Sequence, residues 1–404
     1  MKIVYGMLGI FIFWCATACS NKKAEKQLSD IWKGSAVLGK VIKIKKCRFE
    51  EWLEITPTDF VVPYGADLKQ ISAQPWDRDG DGSWDFLLMD TTDLAKINEF
   101  KVVSDNTSSK FQQYTNVRLG KKDSLGVYSS RNEELRPNNH IAQQKGDYLY
   151  QAEGPIWENE IIGFRLYFDE RNGIDIFGKQ NPEMVADKIG VAGNYHELQE
   201  WGMDVLKVGN SYGAGEMGIM INDTLEHIGD VGIEKFYITA NGPFLASFTI
   251  NYEAPPSKKW SSIKREILIV KGLSGYFTEN QLLGGSSETF LTTGTVNILS
   301  DTLMVNEQDR YVLLTTHGQQ AELNKFLGMG LVIPEDDFKN YAAAPNSNEA
   351  PVSNTYYASF KTHDEPINYL FIAGWELENS NYTDPDFFNE QCEIWAAQYM
   401  DWLK

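Results

Sequence analysis

The sequence predicts an all-β fold, a large antiparallel β-sandwich with few short helices. Three observations predict it. Short apolar runs with strand character recur along the chain, turn-forming residues separate them, and helical periodicity is scarce. The runs include Val41-Ile42-Lys43-Ile44, Gly163 to Asp169, Tyr237-Ile238-Thr239, Phe248 to Tyr252, Glu266 to Val270 and Tyr311 to Leu314. Asn172-Gly173, Asn241-Gly242-Pro243, Pro255-Pro256 and Gly284-Gly285 supply the turns. One helix is expected over Asp386 to Leu403, where Phe387, Phe388, Cys392, Trp395, Met400 and Leu403 can share a face; a second, short one is expected near Asn181 to Lys188. Ala342 to Thr355 is polar and contains proline, and reads as a surface loop. No repeat of solenoid or propeller period is present.

The N-terminus has its own signature. Lys2 precedes an apolar run from Ile3 to Trp14, shorter than the roughly 20 residues that span a bilayer but suited to a signal peptide. Ala16-Thr17-Ala18 then leads into Cys19. Residues 1–18 are therefore expected to be a lipoprotein signal peptide, Cys19 the lipidated residue and 19–36 a tether. Residues 37–404 are expected to form a single domain. An ordinary signal peptide, with Cys19 just past the cleavage point, is the alternative. Ser20 is not the usual inner-membrane retention residue, so the expected location is the outer membrane, periplasmic or surface-exposed.

The 404 residues carry a formal net charge of −19. Such an acidic surface argues against nucleic acid and against peripheral adsorption to anionic lipid. An anionic substrate stays open, because a local basic cleft can oppose the global field. Cys47 and Cys392 remain once Cys15 and Cys19 are set aside. They could pair in an oxidising compartment or stay as free buried thiols. No Cys/His zinc spacing is present.

Asp77-Arg78-Asp79-Gly80-Asp81-Gly82-Ser83-Trp84-Asp85 has calcium-loop spacing. Asp77, Asp79, Asp81 and Asp85 offer hard oxygen ligands, and the glycines permit the turn that gathers them. The bidentate glutamate of an EF-hand would fall at Leu88, so the loop is expected to hold a structural Ca²⁺ by a shorter arrangement. The alternative is an acidic turn with no metal. No organic cofactor is expected.

The most informative stretch runs from Gly154 to Gly215. In Gly163-Phe164-Arg165-Leu166-Tyr167-Phe168-Asp169, period-two geometry puts Phe164, Leu166 and Phe168 on one face and Arg165, Tyr167 and Asp169 on the other. The polar face can line a groove, with Arg165 clamping a carboxylate or sulfate. Otherwise it is a solvated face held by an ion pair between Arg165 and Asp175. Downstream, Tyr195, His196, Glu197, Trp201, Asp204 and Lys207 crowd together. A histidine moves protons near neutral pH, which makes His196 the first candidate base and His317 the second; His140, His227 and His363 read as surface residues.

These segments carry a resemblance. Gly154-Pro155-x-Trp157-Glu158, Gly163-Phe164-Arg165-x-Tyr167-x-Asp169, Asp175-Ile176-Phe177-Gly178-Lys179, and Tyr195-His196 followed by Trp201 to Gly209 resemble an uncharacterised lipoprotein family of bacterial polysaccharide-utilisation loci. The calcium-type loop fits the same family. Asn241 to Phe248 is similar to a strand of galactose-mutarotase-like supersandwiches. The resemblance implies breakdown of uronate-containing or sulfated polysaccharide, and one relative is a dehydratase that leaves a 4,5-unsaturated uronate.

The leading functional expectation is thus a carbon–oxygen lyase or dehydratase acting on uronate-bearing oligosaccharides. His196 would take the proton beside the carboxylate. Tyr195 or Tyr167 would protonate the leaving oxygen, Arg165 or Lys207 would neutralise the carboxylate, and Trp157 and Trp201 would stack on sugar. The alternatives are a glycoside hydrolase pairing Glu158 with Asp175 or Glu197, a sugar epimerase built on His196 and a carboxylate, and a glycan-binding lipoprotein with no catalysis. Fold analogy alone cannot choose among them.

Overall fold

A computed structural model describes residues 27–404 except 54, 57, 138–142, 145–146, 230, 259, 301, 348 and 363–364. The signal peptide, Cys19, His140 and His363 lie outside the described residues. So does the first part of the expected tether; its later residues include Ile31, which is buried beside Ile42, Ile44 and Phe49.

The sandwich has two layers. One is a nine-stranded antiparallel sheet that runs from Glu133–Pro137 through Ile233–Asn241, Leu245–Glu253 and Ser262–Val270 to Gly275–Leu283. It continues through Ile367–Trp375, Lys325–Pro334 and Tyr311–Ala321 to Met304–Glu307. The facing layer is made of two five-stranded sheets. The first orders Gly202–Asp204, Ile174–Lys179, Ile162–Leu166, Ile156–Asn159 and Thr115–Arg118. The second centres on Ala214–Ile221, Thr289–Val296 and Thr355–Phe360. Side chains alternate across each strand, so Phe164, Leu166, Ile174, Ile176 and Met217 meet Phe248, Ile267, Tyr276, Met329 and Phe371 in one core. The runs named from the sequence fall within strands, except that the strand carrying Gly163 to Asp169 ends at Leu166, and Asn241-Gly242-Pro243 forms the expected turn between two of them.

The predicted C-terminal helix spans Pro385–Trp402. Asp384 caps it by accepting from Asp386 N, and Pro385 occupies the first turn, where a missing N–H costs nothing. Phe388, Cys392, Ala396, Tyr399 and Trp402 are its buried face. They pack on Leu313, Val332 and Leu370, on the side of the nine-stranded sheet away from the main core. Leu403 falls past the last turn and is exposed. A small sheet of Ala36–Leu38, Val41–Lys45, Phe86–Asp90 and Gln74–Trp76 lies beside this helix.

Three expectations need correction. The short helix near 181–188 is a series of turns, held where the Glu158 carboxylate accepts from Val185 N and Ala186 N. Cys47 is exposed and Cys392 buried under the C-terminal helix, and both thiols are free. The expected loop at 342–355 begins two residues later, because Ala342 and Ala343 complete strand Phe338–Ala343, and its Ala344 and Val352 are buried near Tyr212.

Candidate functional site

The outer face of the first five-stranded sheet would be open to water if segment 180–201 did not fold over it. Val185, Ala186, Ile189 and Trp201 close on Ile156 and Phe177, forming an apolar cover with Tyr195 packed at its edge. The polar face of strand Ile162–Leu166 is therefore enclosed. Arg165 is 1 % exposed, directly opposite Asp175 in the strand register, and ion-paired with it at 2.6 Å. The expected ion pair is present, but buried rather than solvated.

Strand Gly202–Asp204 completes the constellation. Gly202 has φ +136°, and a Cβ there would lie 1.8 Å from the Gly178 carbonyl oxygen. Only glycine lets this strand approach its neighbour. Met203 then faces the core and Asp204 faces outward, 2.9 Å from Arg165 Nη2. Asp204 N donates to the Tyr195 carbonyl at 2.8 Å, which pins the 194–199 loop above the strand. Adjacent residues on a strand would diverge, but in this loop Tyr195 and His196 point to one cluster. Their ring centroids are 4.3 Å apart.

Both Nη atoms of the Arg165 guanidinium are engaged, while its Nε is buried without a hydrogen-bond partner. Its Nη1 donates to the Tyr195 hydroxyl at 3.1 Å, and its Nη2 to the Tyr167 hydroxyl at 2.6 Å as well as to the two aspartates. Tyr167 in turn donates to Asp175 at 2.8 Å. Glu153 approaches Nη1 at 3.6 Å. Ala152 and Glu153 both hold left-handed backbone, at φ 47° and 67°, a cost of about 1–3 kcal/mol each that the surrounding contacts must offset. Gly154 follows in extended backbone, and a Cβ there would collide with the Leu166 carbonyl at 1.9 Å. This strained turn is what delivers Glu153 to the arginine. Arg165 thus organises the site; its Nη donors are engaged and its one unpartnered donor, Nε, is buried, so it does not clamp a substrate carboxylate.

His196 is the part that solvent reaches. Its side chain is 60 % exposed, and Nδ1 lies 3.2 Å from Asp204 Oδ2. The hydrogen bond to Asp204 raises its pKa above the ordinary histidine value, against the opposing effect of burial. Asp175 is pushed up to about 7 by burial and by the charge of Asp204, over the pull of Arg165. Burial raises the Tyr195 phenol, with Arg165 pulling the other way. Burial would strip charge from Arg165, but Tyr167, Asp175 and Asp204 hold the guanidinium well above its usual range. The arrangement is a carboxylate-oriented imidazole at the surface, with a phenol beside it and a charge-balanced base beneath. It can transfer a proton to or from a bound molecule.

Of the residues expected from sequence, Arg165, Tyr167, Asp175, Tyr195 and His196 converge here. Trp201 contributes to the cover, where it is 8 % exposed and packed edge-on to Phe177. Trp157 does not offer a sugar platform: it is fully buried in the main core, stacked on Phe164. Glu158 is fully buried, with its carboxylate committed to Lys179 at 3.0 Å and to two backbone amides, so it has no acid role. His317 sits in the nine-stranded sheet, bonded to the Tyr382 carbonyl and packed between Phe326 and Phe388. Lys207 is exposed and makes no ion pair with the cluster. His227 is half-buried rather than at the surface, and burial lowers its pKa to about 4.

Asp204 was named in the cluster but given no role, and Glu153 was missed. For Asp204 a signal existed, since alternation from Met203 puts it on the face of Asp175. For Glu153 there was none, because its position depends on left-handed backbone at two non-glycine residues.

In the acidic loop, Asp77, Asp79 and Asp85 bring one carboxylate oxygen each within 4.8 Å of the others. Asp81 stands apart and accepts from Ser83 N at 2.7 Å. Three converging carboxylates fit a hard cation, though with one ligand fewer than the spacing suggested.

A family model described as a domain of unknown function, DUF4861, matches residues 39–401. The chain belongs to this family. Among curated proteins a sequence search found no match. Two solved structures are similar to this DUF4861 chain at 10 % identity. One is a protein in the glycosyl hydrolase family 38 from Enterococcus faecalis, at TM-score 0.44, with 90 % of this chain and 45 % of that chain covered. The other is an alpha-mannosidase from Enterococcus faecalis V583, at TM-score 0.40, with 90 % and 44 % covered. The DUF4861 chain spans less than half the length of either.

Proposed function

We propose that the protein is a carbohydrate-active carbon–oxygen lyase or dehydratase, acting on a uronate-bearing oligosaccharide with His196 as its proton-transfer residue. The observation that carries this reading is the exposed His196 imidazole held by buried Asp204, with Tyr195 in ring contact. β-Elimination from a uronate needs a base for the proton beside the carboxylate and an acid for the departing oxygen. Neutral His196 supplies the first. The Tyr195 hydroxyl supplies the second, and Arg165 stabilises its oxygen as the proton leaves. Because Arg165 is buried with both Nη atoms engaged, an exposed cation must neutralise the substrate carboxylate. Lys207, three residues beyond Asp204, is the candidate.

The same geometry weakens the two-carboxylate hydrolase. Glu158 is committed to Lys179, and Asp175 lies beneath Arg165 and Tyr167, so neither can flank a glycosidic bond. The uronate class rests on the motif resemblance, and the lipid anchor on the N-terminal sequence. We therefore place the protein, as part of the same proposal, at the outer membrane.

The test incubates the chain from residue 20 onward with saturated and unsaturated uronate oligosaccharides, following ultraviolet absorbance and product mass. New absorbance with loss of one water supports dehydration, and new absorbance with chain cleavage supports a lyase; His196→Ala must abolish either. Cleavage by added water without new absorbance would replace the proposal with hydrolysis. Binding without any turnover would leave a glycan-capture protein.

A further inference from the structure

A cleft of about 670 Å³ lies where strands Ala36–Leu38 and Val41–Lys45 meet the C-terminal helix. That helix covers the far side of the nine-stranded sheet, so the cleft and His196 are on opposite faces of the sandwich. The charges lining the cleft are Lys43, Lys45, Arg48, Lys404 and Asp401. Four cations against one acid is the reverse of the whole chain, which carries −19. The one acid is already engaged, by Lys404 at 2.8 Å and Arg310 at 2.9 Å. Lys45 and Arg48 are exposed, and neither has an acidic partner among the described residues.

Lys43 marks this as a built site rather than a chance patch. It is 9 % exposed, donates to the Trp402 carbonyl, and stands 4.9 Å and 4.8 Å from the Phe86 and Trp402 ring centroids. Burial and the neighbouring Lys45 and Arg78 lower its pKa to about 8. A lysine held between aromatic faces without a carboxylate costs stability, and that cost is offset when an anion enters. A smaller cleft of about 220 Å³ continues past Lys43 toward Trp76 and Arg78. Arg78 is neutralised there by Glu266 and Glu279. The positive charge is therefore concentrated on the side of Lys45 and Arg48.

We propose that this cleft is a second, non-catalytic site that binds the carboxylate or sulfate groups of an anionic polysaccharide chain. The preference for anions rests on the cleft's own residues; that the chain is a saccharide rests on the proposed function. A membrane surface fits less well. A flat array of headgroups touches rims, whereas Lys43 sits at the floor, within reach only of a chain that lies in the cleft.

The test titrates the purified full chain calorimetrically with dextran sulfate, with neutral dextran, and with vesicles of phosphatidylglycerol. Dextran sulfate is expected to bind and neutral dextran not to. Lys45→Ala/Arg48→Ala is expected to weaken dextran sulfate binding at least tenfold, with more salt weakening it further. His196→Ala is expected to leave that binding unchanged. Both cleft positions are exposed, so the variant should unfold at the wild-type temperature; Lys45→Gln alone, with a smaller loss, serves if it does not. Equal binding by variant and wild type, equal binding of neutral dextran, or variant-sensitive binding of vesicles alone would overturn the proposal. Loss of dextran sulfate binding in the cleft variant, in a protein that turns over no uronate substrate, would sink the proposed function and leave the anion site standing.

Discussion

Replacing Asp204 by asparagine removes one charge from beside His196 while keeping the shape and a hydrogen-bond acceptor. Two unit charges about this far apart attract by roughly 1 kcal/mol in water and about four times more at an effective dielectric of 20. The observed separation is 3.2 Å, and the imidazole is more than half exposed, which places the pair near the water end of that range. Asp204→Asn removes that attraction and should therefore lower the His196 pKa. Asp204→Ala, which also removes the hydrogen bond, should lower it further. The sign for stability follows. A histidine raised by its partner contributes fully below its unfolded pKa of about 6.5, and that contribution fades as pH rises through the folded value. Nitrogen-detected NMR titration of His196 measures the shift without any substrate. Once a substrate is in hand, the acid limb of the pH–rate profile should move the same way, because neutral imidazole is the active base. An unchanged or raised His196 pKa in Asp204→Asn would refute the reasoning, and with it the assignment of this pair as the proton-transfer unit.

Arg165→Met leaves Asp175, Asp204 and Glu153 without their shared cation, and should cost about 3–5 kcal/mol in urea unfolding; a loss below about 1 kcal/mol would show that the network is not what holds this face together. Glu158→Gln should destabilise the fold by about 3 kcal/mol by stranding the buried Lys179 ammonium, yet folded protein should keep its turnover number, which separates a structural carboxylate from a catalytic one. Calcium should raise the melting temperature through Asp77, Asp79 and Asp85, adding about 2.7 kcal/mol at a hundredfold excess over Kd; Asp77→Asn should abolish the effect, and no response to calcium or chelator in either protein would rule out the metal loop.

The fold was legible because sandwich strands write themselves in period two. Phe164, Leu166 and Phe168 alternate with Arg165 and Tyr167, and the structure puts the first set in the core and the second outside it. What could not be read was which outward face meets water. Arg165 and Asp175 have the pattern of a solvated ion pair, and only the fold-over of segment 180–201, distant in register, buries them. Trp157 and Glu158 misled for the same reason. Residues suited to sugar recognition are also suited to packing and to buried ion pairs, and local spacing does not separate the uses. Asp204 was recoverable from alternation beside Met203. Glu153 was not, because left-handed backbone at a non-glycine residue has no sequence mark.

The charge balance of the buried cluster implies that His196 does not titrate alone. With Asp175 protonated, Arg165 and Asp204 cancel, and His196 faces a neutral base apart from Glu153 at its rim. When Asp175 loses its proton, near pH 7, the base gains a negative charge, and that charge favours protonated imidazole. As pH rises, the release of one proton therefore strengthens the hold on the other, and the His196 curve should spread over more than the span of an isolated group. Asp175→Asn removes the second carboxylate from this exchange. Its His196 titration should sharpen to a single-site curve with a lower midpoint, in the same NMR experiment. A wild-type curve that is already single-site, and is unmoved by Asp175→Asn, would mean that the two groups titrate independently and that Arg165 screens one from the other.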